Sequence, residues 1–388
     1  MLKKKLIPVF YPNYDNREVE AVAEVLKSGW IGLGPKTEEF ENKFASSIGA
    51  KHAIALNSAT SALHLALVAA NIKKDDEVIL PALTFASTAH AVLYVGAKPV
   101  FADIELDTLC ISPKDIKKKI TKKTKAIIPV HYGGYPCYMD EIQRIAKKHN
   151  ILIIEDASHA CGSTYKGEKI GTISPFTCFS FHAVKNLATG DGGMITVKDK
   201  RIAERLRRLR WVGITKDTWK RVEKVIEMGL ASNRGYGWHY EINELGYKYH
   251  MNDINAALGL VQLTKLEKGN LIRRRIAKHY KKNLKGVGDI VNPLLADGKE
   301  NSISAQHNYV IRTKSRDKLH LFLRKNFIST GVHYLPLHFQ PLYRKLYPNV
   351  SLPNTESVWP KLLTLPLYPK LTRKEQDYII DKIHNFFK

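Results

Sequence analysis

Seven short runs of apolar residues follow one another along the first half of the chain, and each has the length of a β-strand. In order they are HAIAL (52–56), EVIL (77–80), KPVFADI (98–104), KAIIPV (125–130), ILIIED (151–156), TCFSF (177–181) and MITV (194–197). Most of these runs are apolar at consecutive rather than alternate positions. They therefore predict strands that are covered on both faces.

Segments with helical spacing of apolar residues lie between these runs. The clearest are at 58–72, 84–96 and 139–150. Regular alternation of strands and helices is typical of a mainly parallel sheet with helices on both faces. The sequence therefore predicts an α/β fold for this part of the chain.

A long helical pattern at 252–285 leads away from the predicted sheet. The remainder, which ends in the helical pattern RKEQDYIIDKIHNFF, indicates a smaller α+β domain. We therefore predict an N-terminal arm, a large domain and a small C-terminal domain, with the bounds 1–33, 34–264 and 265–388.

Composition favours a globular protein of the cytoplasm. The chain has 388 residues, of which 44% are hydrophobic, and no apolar run reaches the roughly 18 residues of a membrane span. Pro8 and Pro12 interrupt the basic N-terminus before an apolar signal core can form. The four cysteines are dispersed without zinc-type spacing, which predicts reduced, mostly buried thiols and no metal site.

The formal net charge of +24 raises three alternatives: a nucleic-acid partner, an anionic small molecule, or a lysine-rich composition without a role. In the basic segments 198–210 and 273–282 the charges alternate with apolar residues at helical spacing, as on a solvated helix face. No nucleic-acid-binding motif accompanies them. We therefore expect no nucleic-acid partner, whereas an acidic substrate is compatible with the charge.

Candidate chemical groups follow the predicted strands, where ligands collect in open parallel sheets. Asp156 closes ILIIED, and His159 lies three residues on. A carboxylate at the end of a buried strand requires a partner. That partner is either the start of a following segment, which the side chain caps, or a cationic ring nitrogen or metal.

The junction NSATSAL places Ser58, Ala59 and Thr60 at the start of a predicted helix. Free backbone N–H groups there favour an anion such as phosphate, and an ordinary helix cap is the alternative. Phe85 follows the strand EVIL. An aromatic residue in this place is either part of the core or a surface on which a planar ring stacks.

Lys185 stands in FSFHAVKNLATGDGGM, between two predicted strands and before a glycine-rich turn. No G-x-x-x-x-G-K-[ST] motif precedes it, so it is not a P-loop lysine. Together with an acid, a ring-stacking candidate and a phosphate cradle, it matches the needs of pyridoxal 5′-phosphate (PLP). The PLP aldehyde requires a lysine amine for a Schiff base, and its ring nitrogen requires a carboxylate.

The chain resembles the DegT-type sugar aminotransferases, which are PLP-dependent enzymes of fold type I. The resemblance runs nearly end to end, through the motifs SGWIGLGPKTEEFENKFA, NSATSALHLAL, PALTFASTAHAVLYVGAKPVFADIE, IEDASHACGSTYKG, SFHAVKNLATGDGGM, ELGYKYHMNDINAALGLVQL and VHYLPLHFQPLY. It implies a large, mainly parallel α/β domain with a smaller C-terminal domain, in a homodimer with shared active sites.

The resemblance also implies roles for individual residues. Lys185 would form the Schiff base and later move the proton. Asp156 would pair with the ring nitrogen, His159 would approach the ring or its 3-oxygen, and Phe85 would stack on the ring. The cofactor phosphate and its surroundings would involve Ser58, Ala59, Thr60, Ser180 and, from the neighbouring subunit, Lys248.

Two departures from the family pattern bear on the residue assignments and on the substrate, in that order. Many members have asparagine at the position of Lys248, and arginine or asparagine at that of His250. SFHAVKN, which lacks the commoner proline after histidine, and RWVGITKDTW are similar to the branch that aminates UDP-4-keto-pentose in lipid A modification. This resemblance favours a 4-keto nucleotide sugar.

The implied reaction moves the amino group of L-glutamate to a nucleotide-diphosphate ketosugar. His182 and His338 are candidate contacts for the sugar or the donor carboxylate, with structural hydrogen bonds as the alternative. Arg273–Arg275 are candidates for the diphosphate. Three other functions stay open: a 3-ketosugar or cyclitol aminotransferase, a related dehydratase, which usually has histidine where Lys185 stands, and a non-catalytic PLP-binding regulator.

Overall fold

The computed structural model describes residues 6–215, 240–296 and 301–388. Within these ranges there are eleven strands: β1 His52–Leu56, β2 Glu77–Pro81, β3 Lys98–Ala102, β4 Thr124–Ile127, β5 Leu152–Asp156, β6 Thr164–Tyr165, β7 Glu168–Lys169, β8 Phe176–Ser180, β9 Gly193–Val197, β10 Tyr309–Arg312 and β11 Leu362–Leu365. The seven predicted strands are β1–β5, β8 and β9, and their observed ends lie within a few residues of the predicted ones.

The helices of the described residues are α1 Asn16–Ser28, α2 Pro35–Ile48, α3 Ala59–Ala69, α4 Ala86–Tyr94, α5 Pro113–Lys119, α6 Met139–His149, α7 Lys200–Leu209, α8 Asp253–Asn283, α9 Arg316–Lys325, α10 Pro341–Leu346, α11 Pro353–Val358 and α12 Arg373–Phe387. Short 3-10 turns cover Tyr132–Gly134, Leu337–Phe339 and Trp359–Lys361. None of the described helices is long and apolar enough to cross a bilayer.

The seven predicted strands form one sheet in the order β1-β9-β8-β5-β4-β2-β3. The ladders joining β3, β2, β4, β5 and β8 are parallel, and β9 alone runs against its two neighbours. The mainly parallel α/β prediction is confirmed. Because β8 and β9 are antiparallel, the loop 181–192 between them stays at one edge of the sheet instead of crossing a face.

Both faces of the sheet are buried, as the apolar runs predict. Along β2, Ile79 faces a cluster with Phe40 of α2 and Ile142 of α6, whereas Val78 faces a cluster with Leu63 of α3. Successive side chains of a strand point to opposite faces. The uninterrupted apolar runs follow from this double cover.

Helix α8 joins the sheet to a third apolar cluster. Its first half packs against α1 and α2, and its second half contributes Ile276 and Tyr280 to a core shared with β10, β11, α9 and α12. Ile7 of the N-terminal arm enters this core too and pairs with Ile328. The predicted border at residue 264 lies inside this one helix, since the apolar stripe of α8 serves both cores.

A carboxylate from α8 caps the start of α2. Asp253 is 1% exposed, and it accepts hydrogen bonds of 2.9–3.0 Å from the backbone N–H groups of Gly34, Lys36 and Thr37. The N-cap of α2 is Gly34, which has no side chain for this task. Asp253 thus satisfies the free N–H groups at the helix start and ties α2 to α8.

Replacing Asp253 by alanine should lower the free energy of unfolding by about 3 kcal/mol, because several buried N–H groups lose their acceptor. Asp199, a local cap at the start of α7 whose side chain accepts from two backbone N–H groups, offers a matched control, with an expected loss of about 1 kcal/mol. Urea denaturation followed by circular dichroism measures both. Equal losses would show that the remote cap contributes no more than a local one.

Candidate active site

The carboxyl ends of the parallel strands open into a cavity of about 320 Å³, a volume typical of small-molecule sites. Nine of the eleven residues predicted from the sequence line it: Ser58, Ala59, Thr60, Phe85, Asp156, His159, Ser180, His182 and Lys185. Its wall also contains residues that the sequence analysis missed, namely Phe10, Ser87, Thr88, His307, His333 and Tyr334.

The two acids that close β5 have separate roles because they point to opposite faces of the sheet. Glu155 is fully buried and lies 2.7 Å from Nε2 of His131. Asp156 lines the cavity, where Thr88 donates to Oδ2 at 2.8 Å and the backbone N–H of Ser158 donates to Oδ1 at 3.1 Å. Both donors stabilise an ionised carboxylate, which suits a partner with a cationic ring nitrogen.

An anion cradle lies at the start of α3. The hydroxyl of Ser58 is the helix cap, since it accepts from the N–H three residues on at 3.1 Å. The first N–H groups of a helix, here those of Ala59 and Thr60, have no carbonyl partner inside it and favour phosphate. Ser180 adds a hydroxyl from the end of β8. Gly193 is required here because a Cβ would lie 2.3 Å from the Ser58 carbonyl oxygen.

The loop 181–192 carries Lys185 into the cavity. The backbone N–H of Lys185 donates to the carbonyl of His182 at 2.8 Å. A hydrogen bond from the N–H of Phe181 to the carbonyl of Gly192 joins the two ends of the loop. Burial lowers the pKa of Lys185 to about 8, and the nearby charge of Asp156 acts in the opposite direction. At neutral pH a useful fraction of this amine is therefore uncharged and nucleophilic.

Phe85 lies at the mouth of the cavity, with 61% of its surface exposed. It is the N-cap residue of α4, and its ring centroid lies 6.0 Å from that of Tyr334. An exposed aromatic face beside an amine, a carboxylate and an anion cradle fits the four parts of PLP: ring, aldehyde, ring nitrogen and phosphate. The residues present thus fit the cofactor that the sequence implies.

One wall of the cavity is a stack of aromatic rings around His307, which the sequence analysis did not predict. His307 lies between Phe10 and His159, with ring centroids 5.4 Å and 4.5 Å away. Asn186 holds His307, since its Oδ1 lies 2.9 Å from Nδ1. Burial lowers the pKa of both histidines well below the ordinary value, and the charge of Lys185 lowers them further. Both imidazoles are neutral, so neither provides a positive charge that would attract the Asp156 carboxylate in place of a ring nitrogen.

Two predicted site residues lie outside the cavity. Lys248 is exposed, and its ammonium lies 3.3 Å from the ring centroid of Trp211 in a cation–π contact. His338 is buried within the 3-10 turn Leu337–Phe339, and its Nε2 lies 3.3 Å from the carboxylate of Glu356. His338 does not line the cavity of its own subunit, and its assignment as a substrate contact stays a prediction.

The arginines proposed for a diphosphate also lie outside this cavity. Arg273 is buried and donates to the carbonyl of Leu367 at 2.7 Å. Arg274 and Arg275 line a separate cavity of about 130 Å³ beside α8. The structure brings none of the three to the predicted cofactor site.

Comparison with known proteins decides the family. The profile of the DegT/DnrJ/EryC1/StrS aminotransferase family matches residues 12–384. The chain belongs to this family. The resemblance inferred from the motifs and the fold-type I prediction are confirmed.

Three relatives illustrate the match. Spore coat polysaccharide biosynthesis protein SpsC of Bacillus subtilis is 39% identical over 100% of this chain and 99% of its own. The PLP form of Spr1654 of Streptococcus pneumoniae is 33% identical, with a TM-score of 0.88 over 98% of both chains. Helicobacter pylori PseC, an aminotransferase involved in pseudoaminic acid biosynthesis, is 28% identical, with a TM-score of 0.89 over 99% of both chains.

The enzyme is accordingly a PLP-dependent aminotransferase that acts on sugars. The cavity combines an amine, a carboxylate and an anion cradle, which are the groups that PLP requires. Residues 216–219, the end of the RWVGITKDTW segment that bears on the 4-ketosugar branch, lie outside the described residues.

The lowered pKa of Lys185 predicts how the cofactor-free enzyme reacts with PLP. Only the neutral amine attacks an aldehyde, so the rate should rise about tenfold per pH unit below pH 8 and level off above it. Stopped-flow absorbance measures this profile. Asp156→Asn should move the midpoint to lower pH, because the carboxylate charge is what raises the pKa of Lys185.

The control is Lys185→Ala, which lacks the amine. Its absorbance in the visible region should not rise to a plateau when PLP is added. A midpoint near the ordinary lysine value of about 10.4 would contradict the effect of burial.

Proposed function

We propose that the enzyme moves the amino group of L-glutamate to the keto carbon of a nucleotide-diphosphate sugar, with a 4-ketosugar favoured. The products are an NDP-aminosugar and 2-oxoglutarate. The observation that carries this proposal is the pairing of Lys185, with a pKa of about 8, and the hydrogen-bonded Asp156 in one cavity. The sugar and polysaccharide roles printed for PseC and SpsC support a product of this class.

Each residue of the cavity has a task that follows from its position. When bound, PLP supplies an electron sink that stabilises negative charge on the substrate carbon. Asp156 keeps the ring nitrogen protonated, Phe85 covers the ring, and the start of α3 with Ser180 binds the phosphate. Lys185 would hold the cofactor through its amine.

Proton transfer then falls to the released Lys185. In its neutral form Nζ takes the proton from the α-carbon of glutamate, and in the second half of the cycle it delivers a proton to the carbon of the sugar that accepts the amine. A pKa near 8 suits both tasks, because the amine is neither fully charged nor weakly basic near neutral pH. The neutral His159 and His307 line the same cavity without adding a second cation.

The proposal includes a homodimer in the cytoplasm with a shared site. Lys248 lines no part of the cavity of its own subunit and lies exposed on Trp211. Near it, Leu245 is 85% and Ile242 62% exposed, and apolar surface of this kind marks interaction sites. We therefore assign Lys248 to the phosphate site of the partner.

Two half-reactions test the proposed chemistry. L-Glutamate alone should convert the visible absorbance of the holoenzyme to the near-ultraviolet absorbance of the aminated cofactor, with release of one 2-oxoglutarate per site. A UDP-linked 4-ketosugar should then restore the visible band and yield an aminosugar. Restoration by a 3-ketosugar or a cyclitol ketone instead would favour the related aminotransferases, and no response to any amino donor would favour a PLP-binding regulator.

Mixing two impaired variants tests the shared site. Lys185→Ala removes the amine, and Lys248→Ala should weaken phosphate binding and activity. If Lys248 acts across the dimer, each mixed dimer contains one intact site, so about a quarter of all sites recover in a random mixture.

The measurement is specific activity after the two subunits are unfolded and refolded together, with each variant refolded alone as the control. If the mixture is no more active than Lys248→Ala refolded alone, Lys248 acts in the site of its own subunit.

A further inference from the structure

His159 has a hydrogen-bonding partner on each ring nitrogen. The backbone N–H of Gly133 donates to Nδ1 at 3.3 Å, and Nε2 lies 3.2 Å from the hydroxyl of Tyr334. The ring is 6% exposed and is further fixed by its stack on His307. Both nitrogens are therefore occupied by the protein itself.

The geometry determines which nitrogen carries the hydrogen. A backbone N–H can only donate, so Nδ1 presents its lone pair to Gly133. A protonated imidazole would place two N–H groups face to face at this contact. The imidazole is therefore neutral with its hydrogen on Nε2, and Nε2 donates to the oxygen of Tyr334.

This arrangement leaves the phenolic hydrogen of Tyr334 available. The hydroxyl accepts from His159, and among the described residues no other acceptor lies within hydrogen-bonding distance of it. Tyr132 fixes the backbone of the tyrosine, since its hydroxyl donates to the carbonyl of His333. Tyr334 lines the cavity with its ring centroid 6.0 Å from that of Phe85. The hydroxyl is therefore free to donate to an oxygen of a ligand that displaces water from the cavity.

The position of Tyr334 indicates which ligand supplies that acceptor. A second cavity of about 470 Å³ adjoins the first, and Thr84, Phe85 and Tyr334 line both. Its other walls combine the apolar Leu335, Pro341 and Leu342 with the polar His90 and Gln340. A substrate too large for the first cavity extends into the second and passes Tyr334 on its way to the reacting amine.

We propose that Tyr334 is a substrate-binding residue, which donates a hydrogen bond to an oxygen of the ketosugar, and that His159 is the positioning residue that directs this hydrogen. The inference rests on the proposed function, since it concerns the sugar-accepting half of the reaction. We assign this contact to the sugar-accepting half because Tyr334 lies where the two cavities meet, and the glutamate half-reaction tests that assignment.

Tyr334→Phe removes the hydroxyl and keeps the ring. In the holoenzyme, we expect the KM for a UDP-linked 4-ketosugar to rise about three- to tenfold, the effect of one lost neutral hydrogen bond. The rate of the glutamate half-reaction and the visible spectrum should stay unchanged. Tyr378→Phe is the matched control, because that hydroxyl donates to the carbonyl of Asn326 in the small domain, and it should leave both half-reactions as they are.

Three outcomes would overturn the proposal. An unchanged KM for the ketosugar would show that Tyr334 does not contact the sugar. A shifted visible spectrum would show that the hydroxyl contacts the cofactor instead. A slower glutamate half-reaction would show that it contacts the amino donor. Failure of the proposed function is distinguishable, because the wild-type enzyme itself would then not aminate the ketosugar.

The hydrogen on His159 has an independent readout. Nitrogen-15 NMR of histidine-labelled holoenzyme, with His159→Gln to assign the signals, should show a protonated Nε2 and a bare Nδ1 across the neutral pH range. The opposite tautomer would mean that Tyr334 donates to His159, which would leave no hydrogen for a substrate and refute the assignment.

Discussion

The amine of Lys185 is held in a cavity that removes much of its water, and the rest of the site is arranged around this desolvated group. Burial alone lowers its pKa, while the charge of Asp156 raises it, and the balance lies at about 8. That balance requires a carboxylate in a fixed place. Thr88 and the N–H of Ser158 provide it, since both donate to Asp156. The pKa values of His159 and His307 are lowered by burial, so these two histidines add no second positive charge to the cavity.

The sheet topology explains why these groups meet. Asp156 and Ser180 end neighbouring parallel strands, and the cradle of α3 follows β1, which is parallel to β8 across the reversed strand β9. Carboxyl ends of parallel strands lie at one edge. The antiparallel β9 returns the chain from this edge and makes the loop 181–192 possible. Gly193 then allows β9 to pass the first turn of α3 at a distance that no side chain would permit.

The opposite wall of the cavity comes from distant parts of the sequence. Phe10 belongs to the N-terminal arm, His307 precedes β10, and Tyr334 follows Ile328, which pairs with Ile7 of the arm. Helix α8 links both cores, so the small domain is positioned by the same helix that caps α2 through Asp253. The precise arrangement of the substrate-facing wall therefore depends on long-range packing, whereas the cofactor-facing wall depends mostly on adjacent strand–helix units.

The sequence alone determined the sheet and named nine of the residues that line the cavity around Lys185. Apolar runs bounded by turns identified all seven strands of the main sheet, because a doubly covered strand has to be apolar at nearly every position. Lys185, Asp156 and Phe85 were found because polar or aromatic groups at strand ends stand out against those runs. Only the tertiary structure showed Tyr334, His307 and Phe10 beside them, since no local pattern encodes a contact between residues so far apart in the sequence. It also showed that His338 is buried in a 3-10 turn, which the periodicity of the sequence does not indicate.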